Sequence, residues 1–336
     1  MQAFISTSLV YLGIYGLSAW SLNLQYGYAG LINFGWIVFQ SIGAYVAGVV
    51  ALGATNSSSF QFYILGARLP FPLPLVAGTL AGALLSLVLG VLIFTRKIRP
   101  DFQAVILLVV AIIAAEVVTA DVGLFNGANG ISNVPQPFKG SLHLSYQGYQ
   151  WFYAGWMAVI CVSVFIGLQW LCRSSWGRSL RAVREDDVLA AYSGINVSAL
   201  RVVVFVVGGA IAGLSGALLV EYLGTWSPDA WSFVETFVVF VAVYVGGRGN
   251  NVGALLGAFL VPVVFGTMPS FLPTFGYPGL TANLEWIVIA LLWLTTFFIR
   301  PQGILPERRH IAKRTSEPRR ERGAPVAPAA ERLTTS

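Results

Sequence analysis

The sequence predicts an all-α protein built as a polytopic transmembrane helical bundle, and three observations support this prediction. Hydrophobic residues make up 56% of the chain and charged residues only 10%, against roughly 25% charged residues in soluble domains. The mean hydropathy of +0.74 suits a chain whose outer surface faces lipid. Nine apolar runs approach the length of about 20 residues that a helix needs to cross a bilayer. These features exclude a soluble enzyme and, for most of the chain, disorder.

Each predicted span is an apolar run between polar or charged segments. In chain order the runs cover residues 4–24, 32–52, 73–94, 102–122, 151–172, 202–223, 233–247, 252–268 and 284–299. The link 25–31 is uncharged and rich in glycine, so it is either a loop or a break inside the membrane. We therefore expect about nine spans, with a range of eight to ten, in one membrane domain over residues 1–305.

The basic residues predict the orientation of the bundle. Of the 20 Lys and Arg residues, 17 lie in the segments 96–99, 173–201 and 300–336. Short loops rich in Lys and Arg stay on the cytoplasmic side, so these segments and the C-terminus are predicted to be cytoplasmic. The tail 306–336 is rich in Pro, Ala and Arg and is predicted to be disordered. Because this tail holds much of the net charge of +6, the basic balance does not indicate nucleic-acid binding.

Acidic residues within the predicted spans are candidate functional groups. A charged side chain at the centre of a span costs about 2.5 to 3.5 kcal/mol on insertion scales, so it should face a cavity or a partner group. Glu116 lies well inside the run 102–122, where it could line a solute path or be hydrogen-bonded within the bundle. Asp121, Glu221 and Glu235 are predicted near the outer surface, either solvated or in contact with basic residues of an external partner.

The sequence lacks the residues of several common catalytic sites. His143 and His310 stand alone, and Cys161 and Cys172 share one apolar run, so neither a metal site nor a nucleophile relay can be assembled. The chain has no Gly-x-x-x-x-Gly-Lys-Ser/Thr motif to cradle nucleotide phosphates. We therefore predict a chain without enzymatic activity, cofactor or metal, and any ATP would be bound by another subunit.

One cytoplasmic segment carries a family resemblance. The coupling segment, residues 173–201, contains the run WGRSLRAVREDD at 176–187, followed by Ala190, Ala191, Gly194, Ile195 and Asn196. It resembles the cytoplasmic coupling loop of permease subunits of bacterial ABC importers for branched-chain amino acids and related amides. The similarity covers nearly all of residues 20–305, including the segments 27–30, 43–45, 208–218, 227–228, 246–257 and 300–303.

The resemblance implies a multi-pass permease subunit of the bacterial inner membrane. Its implied partners are a homologous second permease subunit, two ATP-binding subunits, an external solute-binding protein and membrane lipid. Closure of the ATP-binding subunits would pull the coupling helices together, and the bundle would alternate between outward and inward openings. The expected cargo is a small solute, most simply a branched-chain amino acid.

Two sets of candidate residues accompany the resemblance. Residues Asp187–Tyr192 are expected to form a short coupling helix, which begins at acidic residues and ends at Gly194. The candidate contacts to the ATP-binding subunit are Arg178, Arg181, Arg184, Glu185, Asp186, Asp187, Leu189, Ala190 and Gly194. The candidate solute path contains Gly27, Tyr28, Gly30, Asn33 and Glu116. A solvated charged loop is the alternative interpretation of the coupling segment.

The chain departs from the family pattern at three positions. Leu31 and Trp36 stand where a polar residue and a His are expected, and Leu189 stands where Ala is usual. The first two changes remove polar groups near the expected solute path. Urea and short amides therefore remain open as cargo beside branched-chain amino acids.

Three other functions remain open at the level of sequence. An ion-coupled secondary transporter could use Glu116 and the glycine-broken segment 25–35. A membrane enzyme could bind Mg²⁺ at Asp186 and Asp187, although no second acidic cluster completes such a site. A passive channel would leave the coupling segment without a role.

Overall fold

The computed structural model describes residues 2–54, 61–64, 66–96, 98–139, 144–265, 280–300 and 302–307. Within these ranges the chain consists of helices and links without a β-strand, and an isolated antiparallel bridge joins Ile131 to Trp226. The prediction of an all-α helical bundle is therefore confirmed.

The described residues form twelve α-helices. In chain order these are α1 (Gln2–Leu22), α2 (Trp36–Ala51), α3 (Leu73–Phe94), α4 (Pro100–Ala120), α5 (Val122–Phe125), α6 (Tyr146–Arg173), α7 (Ser175–Glu185), α8 (Asp187–Tyr192), α9 (Val197–Leu223), α10 (Phe233–Gly246), α11 (Asn251–Ala258) and α12 (Leu280–Ile299). Two of them continue as π-helix, α1 through Asn23–Tyr28 and α11 through Phe259–Phe265.

Nine of the described helical stretches are apolar. Helices α1, α3, α4, α6 and α9 are long and apolar enough to cross a membrane. Four shorter apolar stretches are Trp36–Ala51, Phe233–Gly246, Asn251–Val264 and Trp286–Ile299. They correspond to the nine predicted spans, except that the predicted end of the eighth, Met268, lies outside the described residues.

Glycines bring the backbones of three helices into direct contact. A Cβ atom built at Gly213 of α9 would lie 2.6 Å from the carbonyl oxygen of Gly78 in α3. A Cβ at Gly78 would lie 2.5 Å from the carbonyl oxygen of Gly43 in α2. Small residues at helix interfaces allow such close packing in membranes. Helices α2, α3 and α9 therefore form a tightly packed centre.

Helix α1 breaks inside the bundle. After its π-helical turn, Gly30 has a φ of +71°, in the left-handed region that favours glycine, and the chain turns towards α2. Irregular backbone at membrane depth is tolerated where protein surrounds it. In the link, the Asn33 side chain donates to Gln25 Oε1 at 2.8 Å, and Gln25 donates to the Phe205 carbonyl at 3.3 Å. The link 25–31 is thus a buried break rather than an exposed loop.

Helices α3, α4 and α6 present apolar side chains outwards. Leu84 of α3 and Ile166 of α6 are each 61% exposed in the isolated chain, and Ile113 of α4 is similarly exposed. Contiguous exposed aliphatic surface of this kind is covered by lipid or by another membrane subunit. Helices α1 and α9, in contrast, bury most of their residues at the centre.

Candidate functional site

The coupling segment folds as two short helices, α7 and α8. The Asp186 carboxylate caps α8 by accepting from the backbone N–H groups of Val188 and Leu189, each at 2.9 Å. Gly194, with a φ of +83°, follows the helix end. The structure therefore contains the short helix expected over Asp187–Tyr192, and it adds α7, which was not anticipated.

Helix α7 forms because one of its faces is apolar. Leu180 and Val183 are spaced to share one side of the helix and are both buried. Gly177 packs against the carbonyl group of Cys172, where a side chain would not fit. The polar residues Arg178 and Glu185 are exposed. This burial fixes α7 against the end of the membrane helices. It also determines which charged residues of α7 are exposed and which face the bundle.

An exposed apolar surface lies on α8. Val188, Leu189 and Tyr192 are 60%, 64% and 86% exposed, and we call these three residues the α8 patch. Ala190, a predicted contact residue, is instead buried at 4% exposure. Val188 and Tyr192 were not among the predicted contact residues. Their spacing along the helix places them close to Leu189 on its exposed side. Three neighbouring exposed apolar side chains form a surface that contact with another protein could bury.

Arg181 and Arg184 point inwards from α7. Arg184 forms a salt bridge to Glu307 at 2.7 Å and donates to the carbonyl oxygen of Gly27. Arg181 contacts the other oxygen of Glu307 at 2.9 Å, and its guanidinium lies 5.5 Å from the ring centre of Tyr28. We call these five residues the inner cluster. It joins the break in α1, the coupling segment and the chain beyond α12.

The chain beyond α12 is held in place by backbone hydrogen bonds. Ile304 donates to the Val245 carbonyl at 2.8 Å, and Leu305 donates to the Gly246 carbonyl at 3.0 Å, both at the end of α10. Glu307 lies two residues beyond Leu305 and pairs with Arg181 and Arg184. Glu307 belongs to the tail 306–336, for which the sequence predicts disorder, and this contact was not predicted. Beyond Glu307 the tail lies outside the described residues, so its disorder and the domain boundary at 305 stay predictions.

A second ion pair connects α8 to α9. Arg201 contacts the Asp187 carboxylate at 3.0 Å. Asp186 and Asp187 are therefore engaged in a helix cap and an ion pair. In the part of the chain that the structure describes, no group of three His, Cys, Asp or Glu side chains could hold a metal ion. The geometry thus lends no support to Mg²⁺ binding at these two aspartates.

The candidate solute-path residues fall in two places. Gly27, Tyr28 and Gly30 lie in the break of α1, and the Cγ atom of Arg184 approaches within 3.0 Å of a Cβ built at Gly30. Asn33 is fully buried in the adjoining link. Glu116 is exposed on α4 and does not join them. The structure thus brings four of the five near the inner cluster and leaves Glu116 apart.

Comparison with known proteins identifies related chains over nearly the whole length. The family model described as branched-chain amino acid transport system, permease component, matches residues 4–296. The probable branched-chain amino acid transport permease protein LivM of Methanocaldococcus jannaschii is 25% identical, over 90% of this chain and 94% of the relative. No solved structure shows significant similarity.

Relatives of two kinds are found in Escherichia coli strain K12. The high-affinity branched-chain amino acid transport system permease protein LivM is 26% identical, over 88% of this chain and 68% of the relative. The corresponding permease protein LivH is 25% identical, over 87% of this chain and 91% of the relative. Together with the nine apolar helices, the family match shows a multi-pass protein of the inner membrane. The chain belongs to the family of permease components of branched-chain amino acid transport systems.

Proposed function

We propose that this permease subunit carries branched-chain amino acids inwards by alternating access, driven by ATP that partner subunits bind and hydrolyse. The similarity to both LivM and LivH supports a homologous second permease subunit beside this chain. Two ATP-binding subunits and an external solute-binding protein complete the proposed assembly.

The α8 patch is the observation that carries the coupling role. Three exposed apolar side chains, one of them 86% exposed, project from a short helix within a charged segment. Burying each of them on a partner would contribute about 1 to 2 kcal/mol. The surrounding charges, Arg178, Glu185 and Asp186, add specificity rather than affinity at the rim of such a contact. We therefore assign the patch to the groove of an ATP-binding subunit.

The contacts of the coupling segment provide a route for movement into the bundle. The Asp187–Arg201 ion pair connects α8 to the start of α9. The hydrogen bond from Arg184 to Gly27 connects α7 to the break in α1. Since α1 and α9 are the most buried of the long helices, a displacement of the coupling segment reaches the centre of the bundle.

The orientation follows from the same contacts. Glu307 pairs with Arg181 and Arg184, so the chain beyond α12 and the coupling segment lie at the same end of the bundle. Both are rich in basic residues, which favours the cytoplasmic side. We therefore propose a cytoplasmic C-terminus.

Reconstitution tests the proposed function against the ion-coupled alternative. The two permeases, the ATP-binding subunits and the binding protein are placed in liposomes, and uptake of labelled leucine is measured. We expect uptake to require ATP on the side of the liposome membrane that corresponds to the cytoplasm. Uptake should persist when ionophores remove the proton and sodium gradients. Leucine uptake driven by an ion gradient, without ATP-binding subunits, would overturn the proposal.

A further inference from the structure

A largely apolar cavity with a few polar side chains lies at the end of the bundle opposite the coupling segment. It has a volume of about 500 Å³ and is formed by the end of α2, the residues before α3, the segment 135–138 and the end of α9. Small-molecule sites usually measure about 300–1,000 Å³. Glu221 of α9 lines it, 24 residues after Val197, or about 36 Å along the helix axis. The proposed topology makes this the external end, where solute enters.

Glu221 is a buried carboxylate without a matching partner in the described part of the chain. It is 2% exposed, and its Oε2 atom has no hydrogen-bond partner among the described residues. Burial without a partner strongly disfavours the ionised form of a carboxyl group, so Glu221 is stabilised as a carboxylate only when an opposite charge or a cationic ligand lies beside it. Because Glu221 lines the cavity, a cationic group placed there can supply the missing partner.

A cation lines the same cavity. Arg68 is exposed at its rim, and its guanidinium lies against Gly53, where a Cβ would fall 3.0 Å from the Cζ atom. Among the described residues, the three salt bridges join Arg181 and Arg184 to Glu307 and Arg201 to Asp187, so Arg68 and Glu221 do not pair directly. The cavity therefore offers a carboxyl group and a guanidinium group that are not paired with each other.

The remaining wall of the cavity is apolar and well packed. Leu52, Phe71, Pro74 and Phe138 contribute to it. The rings of Phe71 and Phe138 pack edge to face with centres 4.9 Å apart, and Phe71 also packs against Trp156 at 5.6 Å. Rings held in this way form a firm wall for an aliphatic group.

We propose that this cavity is an external loading site for a zwitterionic α-amino acid with an aliphatic side chain. Glu221 receives the ammonium group, Arg68 receives the carboxylate, and the apolar wall packs against the side chain. Each charged group of the solute meets an opposite charge, which compensates for its transfer out of water. This inference rests on the proposed function, because it assigns a site to the same cargo.

Direct binding without the solute-binding protein tests the site. The purified transporter complex is titrated with three probes by saturation-transfer NMR: leucine, leucinamide, which lacks the carboxylate, and 2-hydroxy-4-methylpentanoate, which lacks the ammonium group. We expect the wild type to bind leucine more tightly than either analogue. Glu221→Gln should weaken leucine and leucinamide about tenfold or more and leave the hydroxy acid unchanged.

Arg68→Gln provides the reciprocal measurement. It should weaken leucine and the hydroxy acid and leave leucinamide unchanged. Glu116→Gln is the matched control, because it removes an acid that is exposed on α4 and does not line the cavity. Glu221→Asp, which keeps the charge, should retain the preference for ammonium-bearing probes. Thermal unfolding of each variant separates a loss of binding from a loss of fold.

The outcomes separate the two proposals. If the reconstituted wild type takes up no leucine, the proposed function fails. If it takes up leucine but shows no direct binding, or if Glu221→Gln binds all three probes like the wild type, the loading site is overturned and the proposed function stands. Weaker binding of all three probes by a stably folded Glu221→Gln also overturns the assignment of Glu221 to the ammonium group.

Discussion

Truncating Leu189 should weaken the attachment of the ATP-binding subunit. Leu189→Ala removes three carbon groups from a side chain that is 64% exposed and therefore available for burial on a partner. At about 0.8 kcal/mol per buried carbon group, scaled to this exposed fraction, the loss is about 1 to 2 kcal/mol. Since about 1.4 kcal/mol corresponds to tenfold, the dissociation constant should rise roughly 5- to 30-fold.

The assay measures binding of the ATP-binding subunit to the detergent-solubilised permease pair, and leucine uptake by the same assembly in liposomes. Leu84→Ala is the control, because it removes the same groups from a side chain that is 61% exposed on the membrane helix α3. Folding should be intact in both variants, since neither side chain is buried. Tyr192→Ala, at 86% exposure, should weaken binding further when combined with Leu189→Ala.

An unchanged dissociation constant for Leu189→Ala would refute the reasoning, because it would show that the α8 patch is not buried on the partner. The same holds if Leu84→Ala weakens binding equally. In either case the exposed apolar residues would belong to a solvated loop, and another surface of the permease would have to bind the ATP-binding subunit.

Three further predictions concern the inner cluster, the packing of α9 against α3, and Glu116. Glu307→Gln removes two salt bridges and should lower the free energy of unfolding by about 1–3 kcal/mol, measured by thermal or denaturant unfolding. Glu185→Gln, at an exposed position, is the control and should leave stability unchanged. Equal stability of the two variants would contradict the ion pairs of the inner cluster. Gly213→Ala should cost about 1–3 kcal/mol, because its Cβ meets the backbone of α3, while Gly155→Ala, with open space around it, serves as the control; similar unfolding curves would argue against close packing. Glu116→Gln should leave uptake kinetics unchanged, because Glu116 is exposed on α4; an altered KM for leucine would return it to the solute path.

The local signals in the sequence were sufficient for the apolar membrane helices, although not for α7. An apolar run of the right length predicts a span because the backbone must satisfy its own hydrogen bonds in lipid, and the runs at 73–94 and 202–223 correspond to α3 and α9. The coupling helix was predictable as well. Asp186 can cap the helix and Gly194 can end it using groups that are neighbours along the chain.

The inner cluster was not predictable from local signals. Arg181, Arg184 and Glu307 are far apart in sequence from Gly27, and their pairing depends on where α1 breaks and where the chain beyond α12 is held. In the sequence, Arg181 and Arg184 look like exposed contacts to the ATP-binding subunit, and Glu307 looks like a charge in the tail 306–336. In the structure they lie at a junction between helices and not on the surface of a loop.

Sequence alone determined that this chain is a membrane bundle with a charged coupling segment, because hydropathy, helix caps and charge bias act over a few neighbouring residues. The tertiary structure decided which residues of that segment face out, that α1 breaks at Gly30, and that Glu221 lies buried beside a cavity instead of at a solvated helix end. Those properties depend on contacts between residues distant in the chain, and the free energy of such contacts exists only once the helices have packed.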